Sequence, residues 1–295
     1  VKGNILITGA TGSLGKSVLN NLLKDFPSDK LSVLVRDDNK TTEFKNKGVT
    51  TFVGDYDNYN SLVSAFKTID SLYFVSGSDI ANRTKQHENV INAAKEAGVK
   101  HIVYTSFVRE NETQNSPIAT VAEAHLKTEK WLKNSGIDYT ILKHTIYMDF
   151  IPMFLGEQML DTGVAYLPAG DGKNSFVTRN DMAEVGAKIL TSLEDHKNKE
   201  YDIINENTIG FKDIASQISE ITGKQIQYVS PSQKEYIETL TKAGVPQEYI
   251  GVFAGFSEAF KQEEFIKTGT TIKALIGRKP TNIKEFLTQA YSKKQ

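Results

Sequence analysis

Residues 5–23 read ILITGATGSLGKSVLNNLL. Ile5 to Ile7 form a short apolar run of strand type, and the stretch from Gly15 through Leu23 has helical apolar spacing. Between them stand Gly9, Gly12 and Gly15. Gly9 permits a tight turn, Gly12 lets the backbone approach a pyrophosphate, and Gly15 lets the helix pack close to the strand. The helix start then offers unpaired N–H groups and a partial positive charge to phosphate. A glycine triplet alone is a weak signal. A strand before it, a helix after it and a second strand about twenty-five residues on make it a dinucleotide-binding signature.

Working outward, β-rich runs recur at 31–35, 51–53, 72–75, 102–104 and 139–142, separated by stretches with helical spacing such as NYNSLVSAFKTID and TKQHENVINAAKEAG. Nearly continuous apolar strands alternating with helices imply a parallel sheet covered on both faces, an α/β doubly wound (Rossmann) fold. A helix in RNDMAEVGAKILTSL precedes YDIIN, read as a seventh strand of the same sheet. Two stretches break the alternation: 146–178 and the mainly helical region from 206. The expected division is therefore a nucleotide-binding domain of 1–145 plus 179–205 and a smaller, mainly helical substrate lobe of 146–178 plus 206–295. Tyr147, Phe150, Phe154, Tyr166, Tyr236, Tyr249, Phe253 and Phe256 crowd that lobe. Most are expected to fill its core and a few to line a cleft at the carboxyl ends of the strands.

The chain has 295 residues, with 35 lysines and arginines against 36 aspartates and glutamates. No global field therefore favours nucleic acid or anionic lipid, and a charged ligand must be caught by local groups. The absence of cysteine excludes disulfides and thiolate chemistry. The histidines show no metal-ligand spacing, so no metal is expected. The first residues run straight into a strand and no apolar run is long enough for a membrane span, so the expectation is a cytoplasmic protein with no membrane and no nucleic-acid partner.

The second strand ends VLVRDD, so Arg36 arrives where an acidic residue would bind the ribose hydroxyls of NAD. An arginine there can meet a 2′-phosphate, which favours NADPH over NADH. The alternative is a solvated charge paired with Asp37 or Asp38. After the third strand comes GDYDN, where Asp55 can accept the adenine amino group with Tyr56 beside the ring, or cap the next helix, or both.

These stretches, with HLKTEKWLKNSGIDYTIL, VTRNDMAEV and TIKALIGRKPTNIKEFL, resemble the NmrA-like, atypical short-chain dehydrogenase/reductases (SDR), particularly the bacterial NAD(P)H:quinone reductase and triphenylmethane reductase types, across essentially the whole chain. The resemblance implies that Gly9, Thr11, Gly12, Ser13, Leu14, Gly15 and Arg36 hold the adenosine half of the cofactor. It sets Val75, Ser76 and Gly77 beneath the pyrophosphate and ribose, Ser106 and Phe107 beside the nicotinamide, and Lys143, His144 and Thr145 along it. Tyr147 and Phe150 would face the substrate. Relatives often carry Arg-Asn or Arg-Pro where this chain has Lys143 and His144.

The wider superfamily also supplies a catalytic serine, tyrosine and lysine where this chain has Phe107, Val121 and His125. Reduction of an isolated ketone makes a strongly basic alkoxide and needs a positioned acid. Hydride addition to a quinone gives a delocalised phenolate that water can protonate, and a triarylmethyl cation needs no acid. An oxidoreductase of quinones or similar conjugated electrophiles is therefore expected. His125 is the candidate catalytic proton donor, with Glu129 one turn on to orient it; alternatively it bonds the nicotinamide ribose or faces solvent. The competing class is a non-catalytic NADP(H)-binding redox sensor of the NmrA type, which alone would require a protein partner.

Overall fold

Residues 3–292 are described in a computed structural model of the chain. Its first six strands are β1 (Ile5–Ile7), β2 (Leu31–Val35), β3 (Thr50–Val53), β4 (Ser71–Phe74), β5 (His101–Phe107) and β6 (Asp138–His144). Three short strands, β7 (Ile146–Tyr147), β8 (Val164–Tyr166) and β9 (Phe176–Val177), intervene before β10 (Lys199–Ile203) rejoins the sheet. The seven-stranded order is β10-β6-β5-β4-β1-β2-β3, and every pairing in it is parallel. YDIIN thus supplies part of the seventh strand, as its apolar pattern predicts. The chain leaves β1 toward β2 on one side and returns to β4 on the other. That reversal opens a crevice at the carboxyl ends of β1 and β4.

Helices α1 (Ser13–Leu22), α2 (Thr42–Lys45), α3 (Tyr59–Phe66), α4 (Arg83–Ala97) and α5 (Ala119–Asn134) make the crossovers, α6 (Ile151–Leu155) and α7 (Met159–Thr162) lie in the excursion, and α8 (Arg179–Thr191) leads into β10. Strand side chains alternate between the two faces. Ile5, Ile7, Val33, Val103 and Leu142 meet Val18 of α1 and Met182, Val185 and Ile189 of α8. Leu6, Leu34, Leu72, Ile102 and Ile141 meet Leu62 and Phe66 of α3, Val90 and Ala94 of α4 and Leu132 of α5. Each such fully buried side chain contributes about 1.5–3 kcal/mol, so both helix layers are fastened without disulfides.

The remaining elements are α9 (Phe211–Thr222), β11 (Gln227–Val229), α10 (Gln233–Lys242), α11 (Gln247–Lys261), α12 (Thr271–Ile276) and α13 (Ile283–Tyr291). Phe154, Phe176, Phe211, Phe260 and Phe265 form the centre of a separate apolar cluster here, with Phe154 and Phe260 edge to face at 5.0 Å. Ile272 of α12, however, is buried in the sheet's own cluster. Arg278 and the Thr281 N–H bond the buried Asp181 of α8 at 2.6 and 2.8 Å. We therefore propose the two-unit division with 271–276 moved to the nucleotide-binding side. Residues 1–2 and 293–295 of the predicted units lie outside the described residues. Among the described residues no helix is long and apolar enough to cross a membrane.

Candidate active site

A cavity of about 350 Å³ opens at the crevice, lined by Gly9, Thr11, Gly12, Arg36, Asp55, Tyr56, Val75, Ser76 and Gly77, with Leu34, Asp79 and Gln86 beside them. Gly9 has φ +63°, a left-handed conformation open to glycine at little cost, and a Cβ on Gly15 would lie 2.5 Å from the Gly9 carbonyl oxygen. The tight turn and the close helix approach expected of these two glycines are both present. Gly12 precedes α1 and gives it no side-chain cap. The N–H groups at Ser13, Leu14 and Gly15 are thereby left for a ligand. Arg36 is exposed and pairs with neither neighbouring aspartate: Asp37 instead accepts the Asn39 N–H at 2.9 Å.

The carboxylate of Asp55 accepts the Asp57 N–H at 2.9 Å. It does not cap α3; that role falls to Asn58, which accepts the Ser61 N–H at 3.1 Å. The Tyr56 hydroxyl donates to the Val75 carbonyl at 2.8 Å and lies 2.5 Å from the Thr8 hydroxyl. It braces β1 against β4 across the crevice.

Behind Gly77 lies a chain of buried rings. The Gly77 N–H donates to His87 Nε2 at 2.9 Å, so the proton of that ring sits on Nδ1, facing the Thr128 hydroxyl at 2.9 Å. The Tyr104 hydroxyl is 2.6 Å from His125 Nδ1. With His87 Nδ1 already a donor, Tyr104 donates to His125, whose own proton is then on Nε2. Burial, then the charge of Arg83, holds His125 well below the ordinary histidine range. It is a neutral imidazole, stacked on Phe107 with ring centres 5.9 Å apart. The position that a superfamily tyrosine would occupy is filled by Val121, packed against the lobe's cluster.

One expectation needs correction. Glu129 does not orient His125: it accepts from the Ser106 hydroxyl and forms a two-pronged pair with Arg109 at 3.0 and 2.8 Å. Lys143 and Ser106 share a register pair and point toward α5, on the same side of the sheet as Ile141 and Tyr104. The Lys143 ammonium pairs with Glu200 at 2.9 Å. The Thr145 hydroxyl donates to the Ser175 carbonyl at 2.9 Å. Strand alternation separates the neighbours Lys143 and His144. His144, on the opposite face from Lys143, is buried with both ring nitrogens unpartnered.

Just past β6 the Tyr147 and Phe150 rings lie 5.4 Å apart, with the Arg179 guanidinium over them at 4.8 and 4.4 Å. Burial pushes the Tyr147 hydroxyl up to about 12. Reading by motif misses Arg83, Gln86, His87 and Tyr104. A signal for three of them exists: Arg83, Gln86 and His87 continue the buried stripe of Val90, Ile91 and Ala94 on α4.

A family model described as the NmrA-like family matches residues 1–287. Quinone oxidoreductase 2 of Escherichia coli (strain K12) is 32% identical over 288 residues, 98% of this chain and 99% of that protein. The crystal structure of an Escherichia coli NADPH-dependent quinone oxidoreductase complexed with NADPH has a TM-score of 0.90 at 32% identity, covering 97% of this chain and 99% of that one. Triphenylmethane reductase of Citrobacter sp. has a TM-score of 0.89 at 34% identity, covering 98% and 99%.

Proposed function

The chain belongs to the NmrA-like family, and from that premise we propose that it is an NADPH-dependent oxidoreductase delivering hydride to quinones or similar conjugated electrophiles. The observation that carries this reading is a nucleotide-sized cavity at the crevice, with Val121 and no acid standing where the superfamily tyrosine would. The residues fit the cofactor. The uncapped start of α1 suits the pyrophosphate and the unpaired Arg36 a 2′-phosphate, with Asp55 and Tyr56 toward the adenine side. The orphaned nitrogens of His144 suit a polar group of the nicotinamide end, and Nε2 of His125 a ribose hydroxyl. When bound, NADPH supplies the hydride. Phe107, Tyr147 and Phe150 would press a flat acceptor toward it and exclude water.

The sensor reading is weaker, because relatives about a third identical over the whole chain are named as reductases. NADPH oxidation followed at its own absorbance, with small quinones, triarylmethane dyes and simple ketones, tests the proposal. Turnover with quinones or dyes is expected; tight NADPH binding with no oxidation by any acceptor would return the sensor.

Arg36 tests the cofactor choice separately. Losing a charge-assisted bond of about 1.5–3 kcal/mol should weaken NADPH roughly tenfold to a hundredfold in Arg36→Ala, while NADH affinity stays the same. Calorimetric titration of both cofactors checks this, and equal losses for the two would make Arg36 a structural charge.

A further inference from the structure

Arg83 opens α4, is 8% exposed, and has a buried Nε with no hydrogen-bond partner. Among the described residues it forms no ion pair: Lys85 takes Glu88 on the helix's outer side, and Asp79 is held by Asn82. Its stripe-mates are both occupied, Gln86 with Asp57 and His87 with Gly77. A buried guanidinium without a counter-charge costs stability, and folds keep such groups where a ligand completes them. Arg83 stands one helical turn before His87, whose ring centre lies 5.7 Å from that of Tyr104 and 6.2 Å from that of His125, which sets it beside the buried rings. His144, whose ring centre is 6.2 Å from that of Tyr147, is a second buried polar group with both nitrogens unpartnered.

We propose that Arg83 is the catalytic residue that binds the acceptor oxygen on which negative charge collects during reduction. This rests on the quinone reading above. A C–H bond of the reduced nicotinamide breaks, and a new bond to hydrogen forms at one end of the acceptor. The transferred electron pair passes through the conjugated ring, the far oxygen becomes a phenolate against Arg83, and a proton from water completes the hydroquinone. The oxygen is neutral before transfer and anionic after it. The contact therefore strengthens along the reaction, which is the condition for it to speed the chemistry and not only the binding. The planar fork of an arginine also keeps its charge at every working pH.

The test uses 4-nitrophenol as an analogue of the anionic product, bound to the full chain loaded with NADP+ and followed by nitrophenolate absorbance across pH. The bound phenol should ionise about one to two pH units below the free one. In Arg83→Gln that shift should vanish and phenolate affinity fall about tenfold to a hundredfold, with Arg83→Lys restoring part of it and NADPH affinity unchanged throughout. No binding or no shift in the wild type, a shift that survives in Arg83→Gln, or a loss confined to NADPH affinity overturns the proposal. Should the glutamine variant not fold, Arg83→Lys is read alone, and an unaltered shift and affinity in it overturn the proposal equally. A wild type that holds nitrophenolate through Arg83 but reduces no quinone keeps the anion contact and removes the quinone reading together with the catalytic role of Arg83. Quinone turnover without such binding keeps the quinone reading and removes the role of Arg83.

Discussion

Replacing Glu129 with alanine is expected to remove about 3–5 kcal/mol of unfolding free energy, the cost of leaving a buried charge without its partner. The Arg109 and Glu129 side chains are 2% and 7% exposed, and the pair is joined by two bonds at 3.0 and 2.8 Å. Arg109 also donates to the Phe107 carbonyl at 2.7 Å, so the same network fixes the strand end whose ring stacks on His125. With the carboxylate gone, Arg109 keeps the Phe107 carbonyl and, as counter-charge, the exposed Glu112 at 3.0 Å. That contact is of the surface kind, worth roughly 0–1 kcal/mol, and cannot offset the loss. Urea unfolding measures the difference. A loss below about 1 kcal/mol would mean that water reaches the pair as it reaches surface bridges. The double variant Glu129→Ala with Arg109→Met should recover much of the stability, because it removes both desolvated charges together.

The nucleotide end of the cleft is legible in the letters because backbone geometry dictates them: only glycine adopts the conformation of Gly9 cheaply, and at Gly15 a Cβ would strike the Gly9 carbonyl. The alternation of apolar strands and amphipathic helices is legible for the same kind of reason, since each strand is buried on two faces. The far end of the cleft is not legible in this way. Lys143 and His144 are neighbours in sequence, and a strand turns adjacent side chains to opposite faces. Lys143 goes to Glu200 and His144 to the other side of the sheet. Glu129 follows His125 by one helical turn, a spacing that favours contact, yet Arg109 from another segment outbids it with two charged bonds. Which of several partners a long polar side chain takes is decided by tertiary neighbours, and spacing cannot report them. The polar stripe at the start of α4 is the exception, visible in the chain and passed over because it matches no motif.

The second large effect concerns acceptors: kcat/KM for a small quinone should exceed that for an unactivated ketone by at least about 10²–10⁴, the factor that a positioned general acid supplies and this cleft lacks. His125 is the side chain that could contradict this. Burial holds His87 and His144 down to about 3 and His125 well below the ordinary range, so all three stay neutral above pH 6 and none gains or loses a proton as pH rises to 8. The rate with a quinone at saturating NADPH should therefore be flat from about pH 6 to 8, with no step near the ordinary histidine value of about 6.5. Tyr104 already donates to Nδ1 of His125, leaving the Nε2 proton for a hydrogen bond and not for transfer. Removing one neutral bond costs about 0.5–1.5 kcal/mol, so His125→Ala should weaken NADPH by roughly tenfold or less and leave kcat nearly intact. Stopped-flow turnover at saturating cofactor separates the two. A sigmoidal rate profile centred near about 6.5, together with a fall in kcat of about a hundredfold at unchanged NADPH affinity, would make His125 the acid, and the preference for quinones would then need another cause.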